Sequence, residues 1–249
     1  MILDGLAMVG DSVNGYGLGV EELLASMTTS GIDRCVVAPA LPEDYGLETR
    51  NDAVAASQER YPERLIGLCR LDPRRREGAI AELRRCVLRL GLKGLMLHPM
   101  EEGYRVNEPY VGRVLEEAGS LGVPVVVAAG YPWVSHALQV GSVAHQVPET
   151  TIVMTHGGHI NISGLAQADA LLALRGHENL HICTNGVYRQ DYLEECVASL
   201  GAGRVLFASM SPVFHQGFEL DRARAIRMDE SDRSLVLGEN MLRLLGDDS

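Results

Sequence analysis

The segment Thr151-Ile-Val-Met-Thr-His-Gly-Gly158 joins a short apolar run to a histidine and two glycines. A continuous apolar run of this length is typical of a strand that is buried on both faces of a parallel sheet. Similar runs, rich in Val, Ile and Leu, recur along the whole chain. Together the runs are Ile2–Leu6, Arg34–Ala38, Leu65–Arg70, Gly94–His98, Val125–Ala129, Ile152–His156, His181–Asn185 and Val205–Ser209.

Amphipathic stretches with helical periodicity lie between these runs, and several end at a glycine such as Gly31 or Gly122. Strands that alternate with helices in this number predict an α/β fold, a (β/α)8 TIM barrel of parallel strands. A doubly wound open sheet is the alternative. No linker interrupts the alternation, so we expect a single domain over residues 1–249. The segment Ser234–Leu245 predicts a final helix packed outside the barrel.

The composition disfavours several classes of function. A net charge of −11 disfavours a nucleic-acid or anionic-membrane partner, because both need a basic face. The 5 cysteines form no CxxC pair, which disfavours a disulfide framework or a zinc knuckle. The start Met1-Ile-Leu-Asp4 lacks the pattern of a signal peptide, and no apolar stretch is long enough to span a membrane. We therefore expect a cytoplasmic protein.

In a barrel of this type the active site forms at the carboxyl ends of the strands, from the loops that follow them. Polar and aromatic residues at those positions are the candidates for chemistry. They are found in Asp4–Gly10, at Asp72, in Lys93–Pro99, Ala128–Trp133 and His156–Asn161, at Asn185 and in Ser209–Pro212.

At these positions the sequence resembles the amidohydrolase superfamily, in the amidohydrolase-2 branch that includes aminocarboxymuconate-semialdehyde decarboxylase. The similarity covers nearly the whole chain, and six segments carry it in the family's order. They are Ile2–Gly10 (usually Asp-x-His-x-His-x-Gly), Gly91–Pro99, Val123–Gly130 (usually ending His-Thr-Gly), Thr151–Gly158 with its His-x-Gly-Gly, Arg204–Pro212 (usually Phe-Gly-Ser-Asp-x-Pro) and Leu237–Leu245.

The chain departs from the family at the positions that bind its divalent metal. Leu6 and Met8 replace the two histidines of the first strand, Ala128 replaces the histidine of the fifth, and Met210 replaces the aspartate of the eighth. Zinc needs imidazole, thiolate or carboxylate donors, and a thioether is a soft ligand that suits it poorly. We therefore predict neither a catalytic metal nor another cofactor.

Two histidines are the candidate catalytic residues. His156 matches the general acid/base that stands beside the metal in the resembled branch, and neutral imidazole can exchange a proton without a metal. A purely structural role at the barrel mouth is the alternative. Lys93 and His98 flank the fourth strand at an odd spacing, so only one of them faces inward, and His98 is favoured.

Other residues are candidates for substrate contact. The apolar replacements Leu6, Met8, Ala128 and Met210 would form the pocket floor. Trp133, His159, Asn161 and Asn185 lie in the loops around it, although each of them also fits a structural role. Asp4 keeps the family's aspartate, for which a hydrogen-bonding role is expected.

Three hypotheses about function remain open at this point. In the first, the chain is a metal-independent enzyme that hydrolyses, decarboxylates or cyclises a small activated substrate with help from His156. In the second, it is a noncatalytic relative that binds a small molecule or supports a partner enzyme. In the third, His98, His156, His159 and Asp72 form a relocated metal site.

The state of the barrel mouth discriminates between the first two hypotheses. An open apolar cavity with His156 on its wall favours the enzyme, whereas a mouth filled by side chains favours the noncatalytic protein. The resemblance is the sole basis for expecting a homodimer. Neither the substrate nor the reaction type follows from the sequence.

Overall fold

The computed structural model describes residues 1–160 and 164–246. Within these ranges the strands are short and alternate with helices along the chain. The strands are β1 (Leu3–Asp11), β2 (Gly17–Leu18), β3 (Arg34–Pro39), β4 (Leu65–Gly67), β5 (Cys69–Arg70), β6 (Leu95–Leu97), β7 (Val125–Val127), β8 (Ile152–Met154), β9 (Leu180–Cys183) and β10 (Val205–Leu206).

These strands form a closed parallel barrel. β1, β3 and β4 pair in parallel, as do β5 to β10 in chain order, and β2 adds an antiparallel edge to the end of β1. Leu68 joins β4 to β5 as one barrel strand, and its backbone N–H still bonds the Val37 carbonyl at 2.8 Å. The backbone N–H of Gly5 bonds the Phe207 carbonyl at 3.0 Å, which closes the ring between the first and last strands. The predicted TIM barrel is therefore confirmed, and the open sheet is excluded.

Helices surround the barrel and bury one face each. On the helix from Pro109 to Ser120, the buried residues Val111, Val114, Leu115 and Ala118 recur at the spacing of one helical face. The helices are α1 (Val20–Ser30), α2 (Leu47–Arg60), α3 (Glu77–Leu88), α4 (Pro99–Glu102), α5 (Pro109–Ser120), α6 (Ala137–Gln146), α7 (Gly164–Gly176), α8 (Gln190–Leu200), α9 (Gln216–Arg224), α10 (Glu230–Ser234) and α11 (Asn240–Leu245), with a π-helical turn over Leu235–Glu239. No helix in the described ranges is long and apolar enough to cross a membrane.

The apolar side chains form two clusters, one between the strands and the helices and a smaller one inside the barrel. Leu3, Leu6 and Met8 all belong to the inner cluster, although strict alternation would send Leu3 and Leu6 to opposite faces. An irregularity in the pairing of β1 with β3, between Asp4 and Ala7, accounts for this. It turns Leu6 and Met8 towards the barrel axis.

Helix α11 lies beyond the ring of strands, at the end of the barrel where β1 begins. Two of its side chains, Met241 and Leu245, nevertheless join the inner cluster. The Cε atom of Met241 would lie 2.7 Å from a β-carbon at Gly5. The final helix therefore closes the amino-terminal end of the barrel, opposite the end that carries the candidate site.

A substitution at Gly5 tests the packing between β1, the segment after β10 and helix α11. An added β-carbon would lie 2.8 Å from the Phe207 carbonyl oxygen as well as 2.7 Å from Met241. Since backbone cannot move aside cheaply, we expect Gly5→Ala to lower the free energy of unfolding by about 1–3 kcal/mol in urea denaturation. Gly112→Ala in α5 is the matched control, because nothing lies within 4 Å of its added β-carbon. We expect that variant to be more stable by about 0.5–1 kcal/mol, and equal effects at the two glycines would contradict the packing described here.

Candidate active site at the barrel mouth

His156 follows β8 in a tight turn that fixes its ring. Its φ is 56°, and Gly157 and Gly158 also have positive φ, which accounts for the two glycines after the histidine. Its Nδ1 atom lies 3.2 Å from the Ala129 carbonyl oxygen and 2.7 Å from the hydroxyl of Thr155. A carbonyl oxygen can only accept, so the proton of the neutral ring is on Nδ1. The Nε2 atom of His156 is therefore the basic nitrogen.

His98 has the opposite tautomer. It caps the short helix α4, and its Nδ1 atom accepts the backbone N–H of Glu101 at 3.3 Å. Because a backbone N–H can only donate, the proton of the neutral His98 ring is on Nε2, which lies 3.9 Å from Oε1 of Glu101. His98 is buried and Lys93 is exposed, so the structure favours the inward position of His98.

Both rings are neutral near pH 7. Burial lowers the pKa of His156 to about 4. Burial is also the largest cause that lowers the pKa of His98 to about 3, and the positive Arg70 adds to it. The Tyr131 ring packs near both histidines, with centroids 5.7 Å from His98 and 5.8 Å from His156. The barrel mouth therefore presents a proton acceptor and a proton donor that share one aromatic neighbour.

One of the apolar replacements, Met210, is connected to His156 through Asn185. Leu6, Met8 and Met210 are fully or almost fully buried members of the inner cluster. The side-chain amide of Asn185 connects this floor to the catalytic candidate, because its Oδ1 accepts the backbone N–H of His156 at 3.3 Å and its Nδ2 lies 3.5 Å from the sulfur of Met210. Asn185 therefore connects His156 to Met210, which shares the inner cluster with Leu6 and Met8.

The other predicted contact residues are placed differently. Ala128 is fully buried, and its carbonyl accepts the Ser135 hydroxyl at 2.7 Å. His159 is buried against Tyr192, with ring centroids 4.8 Å apart. Trp133 is 81% exposed. Asn161 lies outside the described residues. Of the candidates in the later loops, Asn185 is bonded to His156, His159 is buried next to it with its backbone N–H bonded to the His156 carbonyl at 3.0 Å, and Trp133 is exposed.

Asp4 has the hydrogen-bonding role expected of it. Its carboxylate accepts the backbone N–H and the hydroxyl of Ser209 at 2.7 and 2.5 Å, and the side-chain amide of Gln216 at 2.8 Å. Burial raises its pKa despite these bonds. Asp4 therefore joins β1 to the loop after β10 and leaves no oxygen directed at the mouth histidines.

A buried ion-pair network at the mouth was not anticipated from the sequence. The fully buried guanidinium of Arg70, at the end of β5, donates from Nε to Glu102 at 2.6 Å and from Nη2 to Glu101 at 2.6 Å. Burial raises the pKa of Glu102 to about 7. Burial also acts to raise the pKa of Glu101. The interactions with His98, Arg70 and the Tyr16 hydroxyl outweigh burial, so the pKa of Glu101 is lowered. The sequence feature that indicates this network is Arg70 itself, a charged residue at the end of an apolar run, where an aliphatic residue is usual.

Aromatic side chains cover the mouth. Tyr16, from the loop between β1 and β2, bonds Glu101 at 2.7 Å and contacts the sulfur of Met8 at 3.6 Å. Phe214 packs edge-on against His156, with centroids 5.9 Å apart. Both are partly buried, and His156 itself is only 4% exposed. The mouth is thus filled by side chains.

The residues present do not fit the divalent metal that the sequence resemblance implies. The positions that the resemblance assigns to its ligands hold two methionines, a leucine and an alanine, which lack imidazole or carboxylate donors. Within the part of the chain that the structure describes, no group of three or more His, Cys, Asp or Glu side chains is arranged to hold a metal ion. The relocated site of His98, His156, His159 and Asp72 is not formed, because Asp72 pairs with Arg74.

The depressed pKa of His156 makes stability depend on pH. Below about pH 6.5 the unfolded chain binds a proton at this residue that the folded chain does not bind until about pH 4. Stability therefore falls on acidification, and this residue alone contributes about 2 kcal/mol of that loss between pH 7 and pH 5. His156→Asn tolerates the positive φ and removes the titration. Urea denaturation at both pH values should show a smaller loss for the variant, and equal losses would contradict a buried neutral His156.

Comparison with known proteins agrees with this architecture. The chain is 23% identical to γ-resorcylate decarboxylase of Rhizobium radiobacter, over 91% of this chain and 83% of that enzyme. It is 36% identical to 2-amino-3-carboxymuconate-6-semialdehyde decarboxylase of Dictyostelium discoideum over a shorter segment, 33% of this chain and 22% of that enzyme.

Solved structures share the fold. The 2,6-dihydroxybenzoate decarboxylase of Rhizobium superposes with a TM-score of 0.78 at 19% identity, covering 100% of both chains. A dihydroxybenzoic acid decarboxylase of Polaromonas, with bound manganese, gives a TM-score of 0.79 at 16% identity, covering 100% of this chain and 97% of that one. The amidohydrolase family model matches residues 3–246. The chain belongs to the amidohydrolase family, in the branch of the aminocarboxymuconate-semialdehyde and γ-resorcylate decarboxylases.

Proposed function

We propose that this chain is a metal-independent enzyme that carries out acid–base chemistry on a small, activated organic molecule at the barrel mouth. Family membership supports an enzyme with a small organic substrate. The observation that carries the proposal is the pair of opposite tautomers, in which His156 has a basic Nε2 and His98 has a protonated one. Decarboxylation is the favoured reaction, because the relatives named above are decarboxylases.

The two histidines would divide the proton transfers between them. His156, with a pKa near 4, is a weak base, which suits a substrate whose proton is already acidic. Its Nε2 accepts that proton and returns it to the carbon that loses carboxylate, so that the proton count balances. The Nε2–H of His98 donates a hydrogen bond to the negative charge that develops on the substrate.

The floor supplies a dry environment for this chemistry. Leu6, Met8 and Met210 exclude water and strengthen each hydrogen bond made above them. Manganese is present in the Polaromonas relative, but these side chains offer it no donor that it prefers. Metal independence is therefore proposed from the donor chemistry of this chain.

The filled mouth supports a second candidate, a noncatalytic subunit that binds a partner enzyme or another copy of this chain. His156 and His98 are only 4% and 2% exposed, and Phe214 packs against His156 while Tyr16 bonds Glu101. A catalytic role requires this aromatic cover to open. A noncatalytic role requires only that the cover stay in place.

Turnover tests these alternatives directly. The purified chain is assayed against a panel of hydroxylated aromatic acids, semialdehyde acids and lactones, with and without EDTA. We expect one class to be turned over at a rate that EDTA leaves unchanged. His156→Asn should lower that rate by at least about 100-fold, because it removes the base. His145→Asn, at an exposed histidine of α6, is the control and should retain the rate.

Two results would contradict the proposal of a metal-independent enzyme. Stoichiometric manganese or zinc that survives chelation, measured by plasma mass spectrometry, would refute metal independence. A chain without turnover on any class, whose mouth histidines stay protected from chemical modification, would favour the noncatalytic subunit.

A further inference from the structure

The carboxylate of Glu101 is surrounded by hydrogen-bond donors. Its Oε2 accepts Nη2 of Arg70 at 2.6 Å. Its Oε1 accepts the hydroxyl of Tyr16 at 2.7 Å and the side-chain amide of Asn14 at 2.8 Å. Three donors from two separate segments therefore converge on one carboxylate, which is the arrangement of an anion-binding site.

These donors adjoin the candidate active site. The Nε2–H of His98 lies 3.9 Å from the same Oε1 atom of Glu101. The Tyr16 hydroxyl contacts the sulfur of Met8 on the apolar floor. A carboxylate in the place of Glu101 would thus have an apolar surface on one side and a proton donor on the other.

The two glutamates that bind Arg70 differ in how firmly they are held. Glu102 has a side chain only 1% exposed, and its Oε2 also accepts the backbone N–H of His98. Glu101 is more accessible, with a side chain 10% exposed, and two of its partners come from the loop after β1, in which Asn14 is exposed. Glu101 is therefore the one that can leave without disturbing the rest of the network.

We infer that Arg70, Tyr16 and Asn14 form a carboxylate-binding site, which Glu101 occupies as an internal ligand until a small carboxylate displaces it. The inference rests on the proposed function, whose substrate would bring that carboxylate. The charge balance supports an exchange. A second anion beside Glu101 would add an unpaired charge next to Arg70, whereas replacement leaves the number of charges unchanged.

Removal of the internal carboxylate tests the inference. In the full chain, Glu101→Ala vacates the site, and acetate and benzoate are the probes, with chloride at equal ionic strength as reference. We expect acetate or benzoate to raise the Tm of this variant in a concentration-dependent way. Calorimetric titration should show more than about tenfold tighter binding than to the wild-type chain, because there the tethered Glu101 competes.

Three variants serve as controls. Glu101→Gln keeps the site filled with a neutral side chain and should gain no binding. Glu117→Ala removes a glutamate that bonds Arg84 through two oxygens on the surface, and should also gain none. Tyr16→Phe in the Glu101→Ala background removes one donor to the anion and should weaken binding about tenfold.

Several outcomes would overturn the inference. A folded Glu101→Ala variant that binds neither acid would do so. Equal binding to the Glu117→Ala variant would show a general affinity of exposed arginine. A Glu101→Ala variant that stays unfolded in acetate as well as in chloride would show that a carboxylate cannot replace the lost side chain. None of these measurements involves turnover, so they leave the proposed roles of His156 and His98 to the activity assay.

Discussion

The pairing of β1 with the segment after β10 is the constraint on which the barrel mouth depends. The backbone N–H of Met210 bonds the Leu6 carbonyl at 2.7 Å, and that of Met8 bonds the Ser211 carbonyl at 2.7 Å. These bonds hold the side chains of Leu6, Met8 and Met210 at one end of the barrel axis. The apolar floor of the barrel mouth is therefore kept in shape by backbone hydrogen bonds between β1 and the segment after β10.

The protonation states of the mouth follow from neighbouring backbone groups. A carbonyl of one strand end sets the tautomer of His156, and an N–H of a short helix sets that of His98. Burial keeps both rings uncharged. Arg70 and its two glutamates form an ion-pair network nearby, so the mouth combines two neutral imidazoles with an ionic side that holds the carboxylate of Glu101.

The sequence predicts the fold well because each barrel strand is apolar on both faces and each helix has one apolar face, which are local patterns. The sequence also predicts that His156 and the apolar residues lie at the same end of the barrel, since the carboxyl ends of the strands converge in any such barrel. It does not predict the network of Arg70 and Glu101, because that depends on which loops meet. The same limit applies to Trp133, whose exposure is decided by how its loop turns.

The bonds between Asp4 and Ser209 join residues 205 positions apart in the chain. Such a contact cannot form on the ribosome until most of the polypeptide has emerged. One edge of β1 consequently has no partner during most of synthesis, apart from the short hairpin at its end. Unpaired strand edges attract other chains. The fragment that stops before Ser209 would therefore leave this edge of β1 exposed, and the closing segment covers it in the folded chain.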